Sequence, residues 1–282
     1  MNADDAAQTK MQEQAAWAAR AARYALYAVP KNRPFAVDLV RLAEVAPGDR
    51  VIDVASGPGV VAIEAARVAG PSGEIVATDI SPVWEPYVAK GCLEAGTRNV
   101  PFNAMPGDDL GFADGSFDVA LCQFGLMFMP DPTACLKEML RVLAPGGTIG
   151  VAVWSTPDKV SHFTAMRALR EVIGESDPPA GTPKTSPLSM GKPGKIEALV
   201  SGAGFTNLHV TKITHAHHGD SVETEWQRLL EEEAFAQAIS AMSPQELSRA
   251  RTAVLSSLEP YRVDDHLVLP SEAIMVTASR PD

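Results

Sequence analysis

The sequence predicts an α/β fold, a mostly parallel sheet with helices on both faces. Three observations predict it. Between positions 50 and 154, short apolar β-branched runs alternate with helix-forming stretches. Gly and Pro punctuate each change of pattern, and the first apolar run leads through a small-residue turn, Ala55-Ser-Gly-Pro-Gly59, straight into a helical stretch. Strands joined through helices imply right-handed βαβ crossovers, and sheets built that way bind ligands beyond the carboxyl ends of their strands.

The elements follow in order. Ala6 to Tyr27 is alanine-rich, without internal Gly or Pro, and reads as a helix. Pro30 and Pro34 break it, and Pro34 suits the first turn of a second helix, Phe35 to Val45, ended by Pro47-Gly48-Asp49. Val51 to Ala55 is a buried strand and Val60 to Val68 its helix, closed by Gly70-Pro-Ser-Gly73. Glu74 to Ile80 is the second strand. Ser81 as cap and Pro82 at the first position start a helix reaching about Ala95. Val100 to Met105 and Phe117 to Cys122 are the third and fourth strands. A helix capped by Asp131 and stopped by Pro145-Gly-Gly147 leads to a fifth strand, Thr148 to Trp154. The rhythm then changes. A helix from Ser161 to Ile173, a Pro/Gly/Ser-rich loop from Gly174 to Met190 and a helix from Lys195 to Ala203 precede two strands, Asn207 to His215 and Leu267 to Ala278. Helices from Thr224 to Ala241 and Pro244 to Leu258 lie between those strands.

Composition narrows the partners. With 46% hydrophobic and 21% charged residues the 282-residue chain can bury a sizeable core. Its formal charge is −11, and its basic residues are scattered singly, which argues against nucleic acid and anionic membrane surfaces. No run reaches the ~18 apolar residues that a span needs, so no membrane insertion is expected. Three cysteines at irregular spacing, Cys92, Cys122 and Cys135, suggest a reducing compartment, and the chain reads as cytoplasmic, a monomer or homodimer.

The chemistry concentrates at the first strand end. Glycines at 57 and 59 let backbone approach a ligand, and the helix behind them offers unpaired N–H groups. Gly57-x-Gly59-x-x-Ala62 also satisfies the dinucleotide fingerprint, with Asp79 placed at the next strand end to accept ribose hydroxyls. Asp53 argues otherwise. Within an apolar strand its carboxylate calls for a cationic partner such as an amino acid's ammonium, and would repel a pyrophosphate. The plainer alternative, a carboxylate capping the turn, stays open.

Five stretches carry a family resemblance: Val51-Ile-Asp-Val-Ala-Ser-Gly-Pro-Gly59, Ala77-Thr-Asp-Ile-Ser-Pro82, Phe112-Ala-Asp-Gly-Ser-Phe-Asp-Val119, Gln123-Phe-Gly-Leu-Met-Phe128 and Leu140-Arg-Val-Leu-Ala-Pro-Gly-Gly147. In these the chain resembles the class I S-adenosylmethionine-dependent methyltransferases, especially the ubiquinone/menaquinone C-methyltransferase group. Ala203-Gly-Phe205 before a late strand is similar to the family's closing hairpin. The resemblance implies a Rossmann-like seven-stranded sheet with an antiparallel last strand. Residues 1–46, which precede the first strand, form a candidate helical cap by their position, and 47–282 the methyltransferase domain, with candidate substrate-covering elements in 156–190 and 220–262. The implied cofactor is S-adenosylmethionine, with S-adenosylhomocysteine as product and no metal. Its expected binding residues are Asp53, Ala55, Ser56, Gly57 and Gly59 around the methionine part, Asp79 and Ile80 at ribose and adenine, Gly107, Asp108, Asp109 and Leu110 along the adenine edge, and Gln123 and Phe124 near the sulfonium. Two positions depart from the pattern. Pro106 stands where many relatives place an acid for the adenine amino group, and Trp84 where methionine is frequent.

The expected activity is C- or O-methylation of a small molecule. A sulfonium is already an activated electrophile, so placement supplies much of the rate and a base serves only an acceptor that must lose a proton. His162 is the best-placed histidine for that, with a solvent-facing role as the alternative. Trp17, Tyr24, Tyr27, Met127, Phe128 and Trp154 are the candidate lining of an acceptor pocket, against the alternative of ordinary core. His215, His217 and His218 lack the partners of a metal site and read as a strand-end cluster, and Cys122 reads as packing. A non-catalytic S-adenosylmethionine-binding protein and a nicotinamide-dependent oxidoreductase are the other readings. The second lacks a Ser/Tyr-x-x-x-Lys pair after the fifth strand.

Overall fold

The computed structural model describes residues 3–174 and 186–282. Residues 175–185, inside the predicted 156–190 covering stretch, lie outside the described residues. Among the described residues eight strands form one sheet: β1 (Arg50–Val54), β2 (Glu74–Asp79), β3 (Phe102–Ala104), β4 (Phe117–Gln123), β5 (Leu143–Trp154), β6 (Thr206–Gly219), β7 (Arg262–Val263) and β8 (His266–Ser279). Their order is β3-β2-β1-β4-β5-β8-β6, with β7 paired to β8. The β3-β2-β1-β4-β5 run is parallel, and β8 joins β5 antiparallel. The expected count was seven. The eighth strand is a two-residue hairpin arm, Arg262 and Val263 pairing back on Leu267 and His266. Two residues leave no alternation for a sequence to display.

The contact pattern divides the chain into two units, one of Met1–Trp154, Thr185–Ile213 and Ala273–Asp282, the other of Ser155–Lys184 and Thr214–Glu272. In the first, α2 (Val29–Leu42), α3 (Val60–Ala69) and α4 (Glu85–Ala95) pack in sequence, and α5 (Pro132–Val142) packs with α7 (Lys195–Gly202). Because β1 lies between β2 and β4, successive crossovers leave it in opposite directions and open a crevice at the strands' carboxyl ends. The central strands are buried almost throughout, with Val51, Ile52, Val54, Leu121 and Val151 fully enclosed. Such continuous apolar runs are what a sheet covered on both faces requires. Helix α1 (Ala3–Tyr27) also belongs to this unit.

The second unit contains α6 (Thr164–Ile173), α8 (Val222–Leu230), α9 (Glu233–Ser240) and α10 (Pro244–Leu258). Leu169, Trp226, Phe235, Val254, Leu258 and Leu267 build its core. α10 starts with a complete capping box between Ser243 and Glu246.

Three local expectations differ. The second helix begins at Val29 rather than Phe35, which puts Pro30 in its first turn and Pro34 inside it. A proline this near the start forfeits one N–H bond, which the burial of Phe35, Ala36, Leu39 and Val40 offsets. Ser81 is no side-chain cap. Its Oγ donates instead to the Gln14 carbonyl on α1, 3.4 Å away, and a 3-10 turn, Pro82–Trp84, precedes α4. The helix expected over Thr224 to Ala241 breaks into α8 and α9 at an extended Glu232, so that Phe235 turns into the core with Trp226 and Leu229.

Candidate functional site

A cavity of about 200 Å³ opens where the sequence reading expects one, at the carboxyl ends of β1, β2, β3 and β4. Its wall takes Asp53, Ala55, Ser56 and Gly57 from β1 and its turn, Asp79 and Ile80 from β2, Met105 to Asp108 after β3, and Gln123, Phe124 and Gly125 from β4. Trp17 and Tyr24 of α1, Asn32 of α2, Trp84 and Phe128 complete it on the apolar side.

Two carboxylates belong to the wall. Asp79 accepts from the Gly57 N–H at 2.9 Å and the Ser81 N–H at 3.0 Å, which ties the β1 turn to the end of β2. Burial raises its pKa to about 6, against the pull of those N–H donors. Asp53 is 1% exposed. One of its oxygens accepts from the Ala62 N–H at 2.9 Å, at the start of α3, and the other, Oδ1, is buried without any partner among the described residues. Burial drives its pKa up to about 8, and the nearby Asp79 charge pushes the same way. The turn between them is backbone under constraint. Ala55 adopts φ 56° and Gly57 φ 51°, the left-handed region, and a Cβ at Gly57 would meet no atom within 4 Å. What Gly57 permits is therefore the conformation and an open approach, not packing.

A second set of polar groups in the wall is neutral. Gln123 Nε2 donates to the Asn32 carbonyl at 3.2 Å, and Asn32 Nδ2 donates to the Tyr24 hydroxyl at 3.1 Å. Gln123 Oε1 is buried without a partner among the described residues. Burial, then the Asp79 charge, push the Tyr24 phenol up to about 12, so it stays protonated. Trp17 meets Tyr24 and Phe128 edge-on, with ring centres 5.8 and 5.3 Å apart, and Tyr24 meets Trp84 at 5.7 Å. Phe124, at φ 57°, stacks on Trp154 with centres 3.8 Å apart.

The model of the ubiE/COQ5 methyltransferase family matches residues 31–171, half of the chain. The chain belongs to that family. The ubiquinone/menaquinone biosynthesis C-methyltransferase UbiE of Geotalea daltonii is 33% identical over 191 residues, 64% of this chain and 80% of that protein. The uncharacterized protein Rv1405c of Mycobacterium tuberculosis is 32% identical over 158 residues, 56% of each chain, so this chain spans about half the length of that relative in the match. The crystal structure of YcgJ from Bacillus subtilis matches with a TM-score of 0.55 at 18% identity, over 88% of this chain and 99% of that one, a likeness of fold.

The family's expected binding residues are partly gathered. Asp53, Ala55, Ser56, Gly57, Asp79, Ile80, Gly107, Asp108, Gln123 and Phe124 line the cavity, as do Trp17, Tyr24 and Phe128. Others sit elsewhere. Gly59 is the left-handed N-cap of α3, where a Cβ would fall 2.9 Å from Val88. Leu110 is buried, and Arg141 of α5 accounts for its carbonyl while Glu138 accepts its N–H at 2.8 Å. Asp109 closes a turn onto the Pro106 carbonyl. Met127 and Trp154 are core, with the Trp154 N–H 3.4 Å from the Met127 sulfur, and Tyr27 lies under the Arg23 guanidinium. His162 belongs to the second unit, its Nδ1 2.7 Å from Ser271 Oγ.

Sequence reasoning missed Asn32, Met105 and Gly125 as wall residues. Asn32 carried a signal, a polar residue between two prolines at the start of an apolar helix face. Among the described residues no three His, Cys, Asp or Glu side chains gather as a metal group, and no helix is long and apolar enough to cross a membrane.

Proposed function

We propose that this chain binds S-adenosylmethionine in the cavity and methylates a small, flat acceptor, with a ring carbon of a quinol-type molecule as the target that the Geotalea relative's name suggests. The observation that carries the reading is Asp53 Oδ1, a buried carboxylate oxygen of a cavity-wall residue with no donor among the described residues. An orphaned carboxylate is costly unless a cation meets it, and an amino acid's ammonium is such a cation.

In this scheme Asp53 gives up its proton and holds the ammonium, while Ala55, Ser56 and Gly57 pass close along the methionine part. Asp79 keeps lone pairs free beside its two N–H bonds and accepts the ribose hydroxyls. Ile80 and Trp84 flank the base, with Gly107 and Asp108 at its edge. Bound there, the cofactor supplies a methyl group already activated as a sulfonium. Phe124, Phe128, Trp17 and Tyr24 exclude water and align the acceptor, which is most of what an in-line transfer asks. Helix α1 acts as a cap, and His162 has no part in this binding scheme.

Calorimetry with S-adenosylhomocysteine and with NADH tests the cofactor. Binding of the first and not the second is expected, and the reverse would overturn the assignment. Turnover of methyl-labelled S-adenosylmethionine with a panel of naphthoquinols separates an enzyme from a binding protein, since only an enzyme moves the label to the acceptor.

A further inference from the structure

Gln123 ends β4 one residue before the left-handed Phe124, and its amide is fixed by α2. Nε2 donates to the Asn32 carbonyl at 3.2 Å. Turned over, the amide would set two carbonyl oxygens against each other, so the orphaned atom is an acceptor. A buried acceptor left unpaired is costly, and a ligand that supplies a donor recovers that cost.

Two residues of one cavity wall therefore each carry a buried oxygen unpartnered among the described residues, and their chemistry differs. Asp53 Oδ1 is a carboxylate oxygen and the stronger partner for an ammonium. Asp53 pairs with Leu121 across β1 and β4, so Gln123 lies one pleat further along the same face, about 6.5 Å beyond. There the acceptor is neutral, and Trp17, Phe124 and Phe128 among its companions in the cavity wall are flat and apolar. A neutral oxygen amid aromatic rings matches a neutral O–H and does not match a second cation.

We infer that Gln123 Oε1 is the atom that recognises the methyl acceptor, taking a hydrogen bond from a hydroxyl on the acceptor's ring and so selecting hydroxyl-bearing flat rings over their O-alkylated counterparts. The inference rests on the methyltransferase reading and names a specificity residue within it. Asn32 is the positioning residue, since its carbonyl sets the amide's orientation.

The test uses the full chain saturated with S-adenosylhomocysteine, and two probes of one shape, 1-naphthol and 1-methoxynaphthalene, followed by quenching of tryptophan fluorescence. The naphthol is expected to bind roughly tenfold or more tightly than the ether. Gln123→Met, of similar length without the acceptor, brings that ratio to about one and leaves S-adenosylhomocysteine affinity within a factor of about three. Gln123→Glu, whose protonated carboxyl can donate to Asn32 and still accept with its other oxygen, keeps the preference. Equal binding of the two probes by the natural chain, or binding of neither, overturns the inference, whatever the variants do. So does a Gln123→Met variant that keeps the preference, or one that loses S-adenosylhomocysteine instead, which would give the amide to the donor. Failure of the natural chain to bind S-adenosylhomocysteine at all is a different result, and removes the methyltransferase reading underneath.

Discussion

The ends of β1 and β4 use the same backbone device for different recognition. Each strand runs into a non-glycine residue in the left-handed region, Ala55 at φ 56° and Phe124 at φ 57°. Asp53, buried and two residues before Ala55, and Gln123, half-buried and next to Phe124, each keep one oxygen unpartnered among the described residues. The chains of support diverge. Asp53 is tied to an N–H at the start of α3, whereas Gln123 is tied to a carbonyl of α2. Positive φ costs about 1 kcal/mol for a residue with a Cβ, and such strain is tolerated where it aims groups at a ligand. The difference teaches that charge, not geometry, divides the cavity. One acceptor changes ionisation near neutral pH and the other never does.

The largest expected effect breaks the charged half of that comparison. Asp53→Asn retains an acceptor for the Ala62 N–H and removes the carboxylate, and should weaken S-adenosylhomocysteine binding by about 2–3 kcal/mol in calorimetry. An affinity unchanged in the folded variant would remove the ammonium assignment.

The second sharpens it through pH. With the Asp53 pKa near 8 in the unliganded protein, an ammonium ligand must displace a proton below that pH. Affinity should fall by up to roughly tenfold per pH unit from about 8 to about 6, and Asp53→Asn should flatten the slope. Stability of the unliganded protein runs the opposite way. The unfolded chain releases the Asp53 and Asp79 protons near the ordinary carboxylate value of 3.8, while the folded chain keeps them to about 8 and about 6. Raising pH from about 4 to 8 therefore draws the equilibrium toward unfolding on their account. Denaturant midpoints for the natural chain and Asp53→Asn across that range would show it, and parallel curves would mean that Asp53 is ionised when folded.

The third concerns the packing that joins the two strand ends. A Cβ at Gly125 would lie 2.6 Å from the Ala55 Cβ and 3.0 Å from Cys122 Sγ. Gly125→Ala should cost about 2 kcal/mol of stability, because neither neighbour is the far end of a flexible chain. A variant as stable as the parent would show that the two turns move apart freely. The smallest effect belongs to Gly57→Ala. The new methyl group meets nothing, so only the φ 51° conformation is penalised, by about 1 kcal/mol in thermal unfolding. A larger loss would mean that the turn is tighter than its surroundings indicate.

The parallel half of the sheet was legible because buried strands and their Gly- and Pro-marked turns have periods that short windows display. Asp53 and Asp79 were legible for a related reason: an acid in or at the end of an apolar run violates the run's own logic, and the violation can be seen without a structure. Met127 and Trp154 show the opposite case. An aromatic or methionine beside a strand end looks the same in sequence whether it faces a cavity or the core, and here both are core. Asn32 and Gln123 show it again, since their value lies in a hydrogen bond across 91 positions of chain.

By itself the sequence determined the strand and helix periods, the punctuation between β1 and β5 and the presence of two acids at strand ends, because these depend on local sterics and on burial along a single segment. Only the tertiary structure decided that α2 starts at Val29 through two prolines, that a two-residue β7 adds an eighth strand, and that Asp53 and Gln123 each keep an oxygen with no partner among the described residues. Those outcomes depend on what distant segments bring to one place, and a hydrogen bond left unmade exists only where every neighbour is known.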